Sequence, residues 1–354
     1  MKKFLAISLV VLMALTTFVA CGNNTPEETV VDTVADTTAA DVVETVKFGM
    51  GVHAYYGTAS DADGDTDGKA DLTATVAAVL VDAEGKVVKC DIDTMDLSAA
   101  YTSVGTAVVA DSYATKAELG DSYGMALYGG DNNGDGKVLE WYAQADALEG
   151  VIVGKTAEEV KALVAGYYGT DEVQAAGCTI GIPDYVNAVV KAIENAVESG
   201  ATANDTVKVG TVIAVESKDA TADANGSVEF EVSVAATATN GGKVTACDAD
   251  AIQATVSFDA AGKALTDTTV EILTKGEKGD NYGMAAYGSD LNGDGKVLEW
   301  YAQADAFCAA CLDKNADGIA ALVVNGYQAV EDVQTAGCTM GVADIAAALV
   351  KAAK

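Results

Sequence analysis

The sequence contains no arginine. All 21 basic residues are lysine, set against 53 acidic ones, and the formal net charge is −32. Phosphate contact needs a basic surface, so this balance argues against nucleic acid as a partner, and an anionic membrane surface would repel the chain. Histidine occurs once, at His53, in a strand-like stretch with no evident partner, which excludes catalytic triads and histidine-ligated metal sites. Seven cysteines are too few, and too evenly matched between the two halves, for a dense disulfide framework. What the chain has in excess is carboxylate. Multivalent cations are its natural counterpart, and the same charge also keeps an exported protein soluble. Half of the residues are hydrophobic, enough for a sizeable core, and 354 residues suggest roughly two domains.

One block occurs twice. Residues 120–147 read GDSYGMALYGGDNNGDGKVLEWYAQADA and residues 279–306 read GDNYGMAAYGSDLNGDGKVLEWYAQADA, an offset of 279 − 120 = 159 with four differences in 28 positions. Such a spacing marks a domain duplication, not a short-period solenoid. Each copy joins a Tyr-Gly-Met turn, an acidic Asp-x-Asn-Gly-Asp-Gly loop and a Glu-Trp-Tyr-x-Gln helix start.

The N-terminus carries Lys2 and Lys3, an apolar run from Phe4 to Ala20, and then Cys21-Gly22. The run is too short and wrongly flanked for a membrane span. It resembles a bacterial lipoprotein signal, which implies that residues 1–21 are the signal with Cys21 lipidated, and that the chain is anchored on the extracellular face of the membrane. Residues 22–45 are acidic, rich in Thr and Ala and without apolar periodicity, as a disordered tether would be.

From Val46 to Tyr55 the pattern is strand-like. Alternating Leu72 to Val76 runs into apolar Ala77 to Val81, and Asp82-Ala-Glu-Gly85 predicts a hairpin turn into Val87 to Ile92. Irregular polar sequence is expected from there to Thr115. Leu139 to Leu148 predicts a helix with Trp141 on its buried face. Thr156-Ala-Glu-Glu159 is a capping box opening a second helix, and Pro183 opens a third, to about Val197. Strands near Val207–Val215, Ser227–Ala235 and Lys243–Cys247 start the same order again. Strands followed by helices predict an α+β fold of two tandem homologous domains, residues 46–199 and 207–354, joined by a linker at 200–206.

Each half closes on a similar turn. Asp171-Glu-Val-Gln-Ala-Ala-Gly-Cys-Thr179 is followed by Ala188-Val189, and Glu331-Asp-Val-Gln-Thr-Ala-Gly-Cys-Thr339 by Ala348-Leu349, with 188 − 179 = 9 and 348 − 339 = 9. This resembles the terminal segment of FMN-binding domains, as in sodium-pumping quinone reductases and surface electron-transfer lipoproteins, where Ser-Gly-Ala-Thr leads into a helix. The Lys-x-Glu-Leu-Gly run at Lys116 and the Asp-x-x-Gly-Lys hairpin are similar too. The resemblance implies a flavin carried in electron transfer, joined covalently by a flavin transferase through a phosphoester to Thr179 and Thr339. Gly177 and Gly337 would shape the turns, and Tyr123, Met125, Tyr282 and Met284, with Trp141 and Trp300, would wall the ring. The chain departs from the family pattern in having Ala176 and Ala336 for serine and Cys178 and Cys338 for alanine, and in placing the acidic residue two positions farther away. A glycine turn whose threonine caps a helix reads the same residues without a cofactor. A literal Ser199-Gly200-Ala201-Thr202 lacks the acidic residue at the expected distance and reads as coincidence.

The acidic loops match the first half of a calcium loop. Asp131, Asn133 and Asp135 occupy positions 1, 3 and 5 with Gly136 at 6, and Asp290, Asn292, Asp294 and Gly295 repeat them. Glu140 and Glu299 stand at position 10, where a helix-loop-helix site would have its glutamate at 12. Asp63-x-Asp65-x-Asp67-Gly68 and Asp313-x-Asn315-x-Asp317-Gly318 match the pattern as well. Solvated turns are the plain alternative for all four. Cys308 and Cys311 form a C-x-x-C near a helix end, which suits a buried pair or an incidental disulfide better than a reactive thiol. Two functions follow as expectations: a lipid-anchored FMN carrier with redox partners but no substrate of its own, or a calcium-stabilised surface lipoprotein without a redox group. Replacing Cys21→Ser is expected to release the chain into the medium, measured by fractionation and immunoblot; a membrane-bound variant would place the anchor elsewhere.

Overall fold

A computed structural model of the chain describes residues 45–131, 134, 136–288, 293 and 295–354. The signal with Cys21 and the tether up to residue 44 lie outside the described residues, as do Asn133, Asp135, Asp290, Asn292 and Asp294 of the acidic loops. No helix among the described residues is long and apolar enough to cross a membrane.

The first half runs β1 (Thr45–Ser60), β2 (Gly68–Val81), β3 (Val87–Tyr101), β4 (Ala107–Val108), α1 (Lys116–Leu119), α2 (Met125–Tyr128), α3 (Trp141–Ile152) and α4 (Ala157–Lys161). A small hairpin, β5 (Val164–Ala165) and β6 (Tyr168–Gly169), precedes α5 (Asp171–Ala175) and α6 (Pro183–Asn195). The second half continues with β7 (Val197–Thr202), β8 (Thr206–Lys218), β9 (Gly226–Asn240), β10 (Lys243–Phe258), α7 (Lys275–Lys278), α8 (Met284–Tyr287), α9 (Trp300–Cys311) and α10 (Ala316–Ala320). It ends with β11 (Val323–Val324), β12 (Gln328–Ala329), α11 (Glu331–Thr335) and α12 (Ala343–Ala352). The fold is α+β: antiparallel sheets, in the orders β4-β3-β2-β1-β7 and β10-β9-β8, followed in the chain by helices.

Strand alternation explains how the layers stack. Along β2, Ala70, Leu72, Ala74, Val76, Ala78 and Leu80 point to one face, and Ala77, Val79 and Val81 to the other. The first set packs against Val228, Phe230, Val232 and Val234 of β9, so the two sheets face each other across one shared core. The second set packs beneath α3 and α6. The outer face of the second sheet is covered in the same way by α9 and α12. The order is helix, sheet, sheet, helix, and Tyr101 and Phe258 stack between the sheets with ring centres 4.2 Å apart.

This arrangement replaces the expected pair of independent domains with a linker. The described residues, from Thr45 to Lys354, belong to one compact unit. Gly200-Ala201-Thr202 belongs to β7, which pairs antiparallel with β1 of the first half (Thr45 opposite Thr202, Phe48 opposite Val197), and β8 starts at Thr206. The turn between them is built on Asp205, fully buried, whose carboxylate accepts hydrogen bonds from Thr202, Asn240 and Thr245. A second expectation also fails. The chain beyond Ile92 stays in β3 as far as Tyr101, because Met95, Leu97, Ala99 and Tyr101 alternate into the core while Asp96 and Ser98 face water and disguise the pattern.

The halves contact each other reciprocally. The Ala62 N–H donates to the Gly262 carbonyl at 2.7 Å, and the Ala220 N–H to the Gly105 carbonyl at 2.8 Å. Asp61 accepts from the Ala264 N–H and Asp219 from the Ala107 N–H, both at 2.8 Å. Lys351 pairs with Glu118 and Lys191 with Glu277. Each contact has its counterpart with the halves exchanged, which is the geometry of a two-fold interface within a single chain. Glycine sets the helix layer close to the sheets: a Cβ at Gly51 would lie 2.3 Å from the Ala188 carbonyl oxygen, and one at Gly210 2.2 Å from that of Ala348.

Carboxylates buried at the sheet–helix boundary make stability depend on pH. Burial, reinforced by neighbouring Asp91, pushes Glu149 of α3 up to about 8, although the Ile92 N–H donates to it at 2.8 Å. The folded chain therefore keeps a proton there that the unfolded chain loses near the ordinary glutamate value of about 4.3. Between those two values the folded state binds more protons, so this residue's contribution falls as pH rises through the window and is flat above it. Glu149→Gln should lose less melting temperature than wild type between pH 5 and pH 8, by scanning calorimetry. Equal losses would show that Glu149 is not held protonated.

Candidate functional site

The site in each half begins at a four-residue helix too short to persist alone. Thr115 and Glu118 form a capping box on α1, with the Glu118 N–H donating to Thr115 Oγ1 at 3.2 Å and the Thr115 N–H to Glu118 Oε2 at 3.1 Å. Asp93 of β3 accepts from the Ala117 N–H at 3.1 Å and ties the helix to the sheet. Thr274, Glu277 and Asp250 do the same for α7, where the Gly276 N–H donates to Asp250 at 2.8 Å. The first helical residue, Lys116 or Lys275, is thereby turned inward, its side chain 11% or 9% exposed. Lys116 Nζ lies 2.9 Å from Asp96 and 5.2 Å from the Tyr123 ring centre. Lys275 Nζ lies 2.9 Å from Glu231, 5.5 Å from the Tyr282 ring centre and 5.9 Å from that of Trp300. Burial alone would lower both amines. The surrounding Tyr185 and Asp96 outweigh it for Lys116, and the Glu231 contact does so for Lys275, so each is held protonated above its ordinary value.

The second element is a glutamine clamp. Gln144 on α3 is buried, and its Oε1 accepts from the Thr179 N–H at 2.8 Å and the Thr179 hydroxyl at 3.1 Å. Its Nε2 donates to the Leu139 carbonyl at 3.0 Å and to Met125 Sδ at 3.3 Å. Gln303 holds Thr339, Leu298 and Met284 by the same set of bonds and takes the Met340 N–H in addition. One side chain therefore fixes the Gly-Cys-Thr turn, the start of the long helix and the methionine of α2 or α8. Thr179 is not a helix cap: Ile182 holds the cap position of α6 without a side-chain bond, and Val342 does so in α12.

These parts enclose a cavity in each half. The first, about 310 Å³, is lined by Lys116, Tyr123, Met125, Gln144, Tyr167, Thr179 and Tyr185 among others. The second, about 420 Å³, is lined by Lys275, Met284, Trp300, Gln303, Tyr327 and Thr339, and by the carboxylates of Glu231 and Asp344, among others. Both volumes fall in the range of small-molecule sites. Of the residues singled out in the sequence, Thr179, Thr339, Tyr123, Met125, Met284 and Trp300 come together at the cavities. Gly177 and Gly337 shape the turns, with φ of +108° and +115°, and stand behind the lining. Tyr282 acts through Lys275. Trp141 is buried and donates from Nε1 to the Tyr185 hydroxyl at 2.9 Å. The second half has Ile345 where the first has Tyr185 (185 + 160 = 345), so the Trp300 face is left open to its cavity.

Lys116, Lys275, Gln144, Gln303, Tyr167 and Tyr327 were not singled out as site residues from the sequence. A signal existed: each recurs at the duplication offset or one residue from it (116 + 159 = 275, 144 + 159 = 303, 167 + 160 = 327). Tyr167 and Tyr327 lie over the chain at Gly181 and Gly341, where a Cβ would stand 2.3 and 2.2 Å from the ring.

The acidic loops divide. Asp131 accepts from the Gly134 N–H at 2.7 Å and the Gly136 N–H at 2.9 Å. Glu140 and Glu299 hold α2 and α8 instead, accepting from the N–H groups of Met125 and Ala126, or Met284 and Ala285, at 2.9 and 3.1 Å. Asp63 and Thr66 close a tight two-way backbone hairpin, and Asn315 caps α10 with Asp317 inside it. Among the described residues no group of three or more His, Cys, Asp or Glu side chains is placed to hold a metal ion. His53 has a partner after all: its Nε2 lies 3.5 Å from Asp184, which also accepts from the Tyr55 hydroxyl at 3.0 Å. Cys308 and Cys311 are buried free thiols, and Cys247 donates to the Cys308 carbonyl at 3.2 Å. Thr202 spends its hydroxyl on Asp205 at 2.6 Å.

No protein-family model matches the chain, and comparison with curated proteins and with solved structures returns no match.

Proposed function

We propose that the chain is a lipid-anchored extracellular electron carrier that holds up to two FMN groups, through Thr179 and Thr339. The observation that supports this most directly is the pairing of each threonine with a buried lysine and a methionine at a cavity of ligand size, repeated in both halves. The residues fit such a group. Lys116 or Lys275 supplies the positive charge that a chain without arginine otherwise lacks, and Met125, Tyr123, Met284 and Trp300 supply apolar walls. FMN, when bound, supplies one- and two-electron chemistry. The chain's own residues hold the turn that carries it: esterification removes the threonine O–H, yet Gln144 keeps the Thr179 N–H, and Gln303 keeps that of Thr339, so the turn stays fixed. Peptide mass mapping of protein from a host with an active flavin transferase should show FMN on Thr179 and Thr339 and none on Thr202, with yellow absorbance lost in Thr179→Val combined with Thr339→Val. Unmodified Thr179 and Thr339 would overturn this function.

One observation favours a second reading, a calcium-stabilised surface protein. Asp131 at loop position 1 closes onto the N–H of Gly136 at position 6, and Gly134 and Gly136 have the same positive φ values, +74° and +79°, as Gly293 and Gly295. Calcium would relieve the repulsion among Asp131, Asp135 and their copies. At a hundredfold excess over its dissociation constant one site adds about 2.7 kcal/mol. Millimolar calcium should raise the melting temperature, a chelator should lower it, and Asp135→Ala with Asp294→Ala should remove most of the shift. Identical melting in calcium and chelator would make these loops ordinary turns.

A further inference from the structure

The two halves hold their cavity lysine with a carboxylate from different strands. In the first sheet Thr73 of β2 faces Asp96 of β3, and in the second Glu231 of β9 faces Gln253 of β10. These are corresponding ladder positions. Asp93 and Asp250, which anchor the starts of α1 and α7, stand three residues before Asp96 and Gln253 respectively (96 − 93 = 3, 253 − 250 = 3). The carboxylate has moved across the ladder from β3 to β9, yet in both halves it lies 2.9 Å from the lysine Nζ. Each carboxylate is about half exposed, and an ion pair open to water on that side adds little net stability, so stability alone gives little reason to keep one in both halves. The lysine is also the one basic side chain among the described residues lining each cavity. An ammonium has three N–H donors, and the carboxylate accepts from one, which leaves donors for a ligand.

We propose that Lys116 and Lys275 are the charge-recognition residues of the two cavities, each selecting an aromatic phosphoester by meeting its negative charge. This rests on the flavin reading and adds to it the residue that reads the phosphate-bearing ligand before any covalent bond forms. The adjacent carboxylate keeps the amine protonated and positions it, and the aromatic face beside it, Tyr123 or Tyr282, limits its movement.

The test uses the full chain made in a host without a flavin transferase, titrated with FMN and with riboflavin, which has the same ring and no phosphate. Wild type should bind FMN tighter than riboflavin by on the order of tenfold or more, as expected for a charge-assisted hydrogen bond. Lys116→Gln with Lys275→Gln should bring FMN down to the riboflavin level, while Lys116→Arg with Lys275→Arg should keep the preference. Because an unpaired Asp96 or Glu231 could itself repel phosphate or disturb folding, the quadruple variant Lys116→Gln, Asp96→Asn, Lys275→Gln, Glu231→Gln is measured beside it and should show the same loss. Equal binding of the two flavins by wild type, or a preference that survives both glutamine variants, overturns the proposal. Absence of binding of either flavin overturns it together with the flavin reading. A lysine-dependent preference in a chain whose Thr179 and Thr339 stay unmodified in a transferase-containing host overturns covalent attachment only, and supports the charge-recognition role.

Discussion

A β-strand that is apolar on both faces has to be covered twice. β2 is such a strand over Ala77–Val81, and the matching stretch of β9 is also buried on both faces, with Ser233, Ala235 and Thr237 on its helix side. One face of each is covered by the other sheet and the opposite face by helices, which gives four layers from two copies of a two-layer unit. Neither half could present its inner sheet face to water without exposing Leu72, Val76 and Leu80, or Phe230, Val232 and Val234. The duplication is thus the means by which the core is closed, with the halves arranged as in a symmetric dimer whose subunits share one chain.

The same arrangement braces the cavities. α1 and α7 are single turns, and each is held from three sides: by its capping box, by a sheet aspartate and by a lysine from the opposite half. Lys351 of α12 reaches Glu118 of the first half, and Lys191 of α6 reaches Glu277 of the second. The glutamate that closes the capping box is in each case the one that accepts the foreign lysine. One salt bridge thus joins each cavity helix to the closing helix of the other half.

Charge gives the cavities their character. The chain is acidic throughout, and the cavity lysines are set among carboxylates, Asp96 beside Lys116 and Glu231 with Asp344 near Lys275. Lys116 and Lys275 are the basic side chains among the described residues lining the two cavities, and each is held by a carboxylate and an aromatic ring. The buried carboxylates nearby work in the opposite direction. Asp93, raised to about 6 by burial despite hydrogen bonds from Thr115, Ala117 and Thr94, and Asp248, raised to about 7 by burial and by Asp250, show how little solvation this boundary provides.

Local rules were readable without coordinates wherever they depend on short spacings. The duplication, the hairpin on Asp82, the capping box at Thr156, the proline start of α6 and the α+β order all follow from neighbours a few residues apart. Thr179, Thr339, Met125 and Met284, which line the cavities, stand out in the sequence because they sit in repeated or family-like strings. The lysines do not, although they repeat equally well, because a lysine in a polar run looks like a solvated one until a sheet aspartate and a capping box turn it inward. His53 looked unpartnered for a similar reason: Asp184 is 131 residues away in sequence (184 − 53 = 131). The sequence alone determined that there are two copies of one unit, each with strands before helices. Only the tertiary structure decided that the copies share a core, that Gly200 to Thr202 extend a sheet, and which carboxylate each lysine meets. The reason is that β2 and β9 each carry one long apolar face, and a one-dimensional pattern shows that a face is apolar without showing what will cover it.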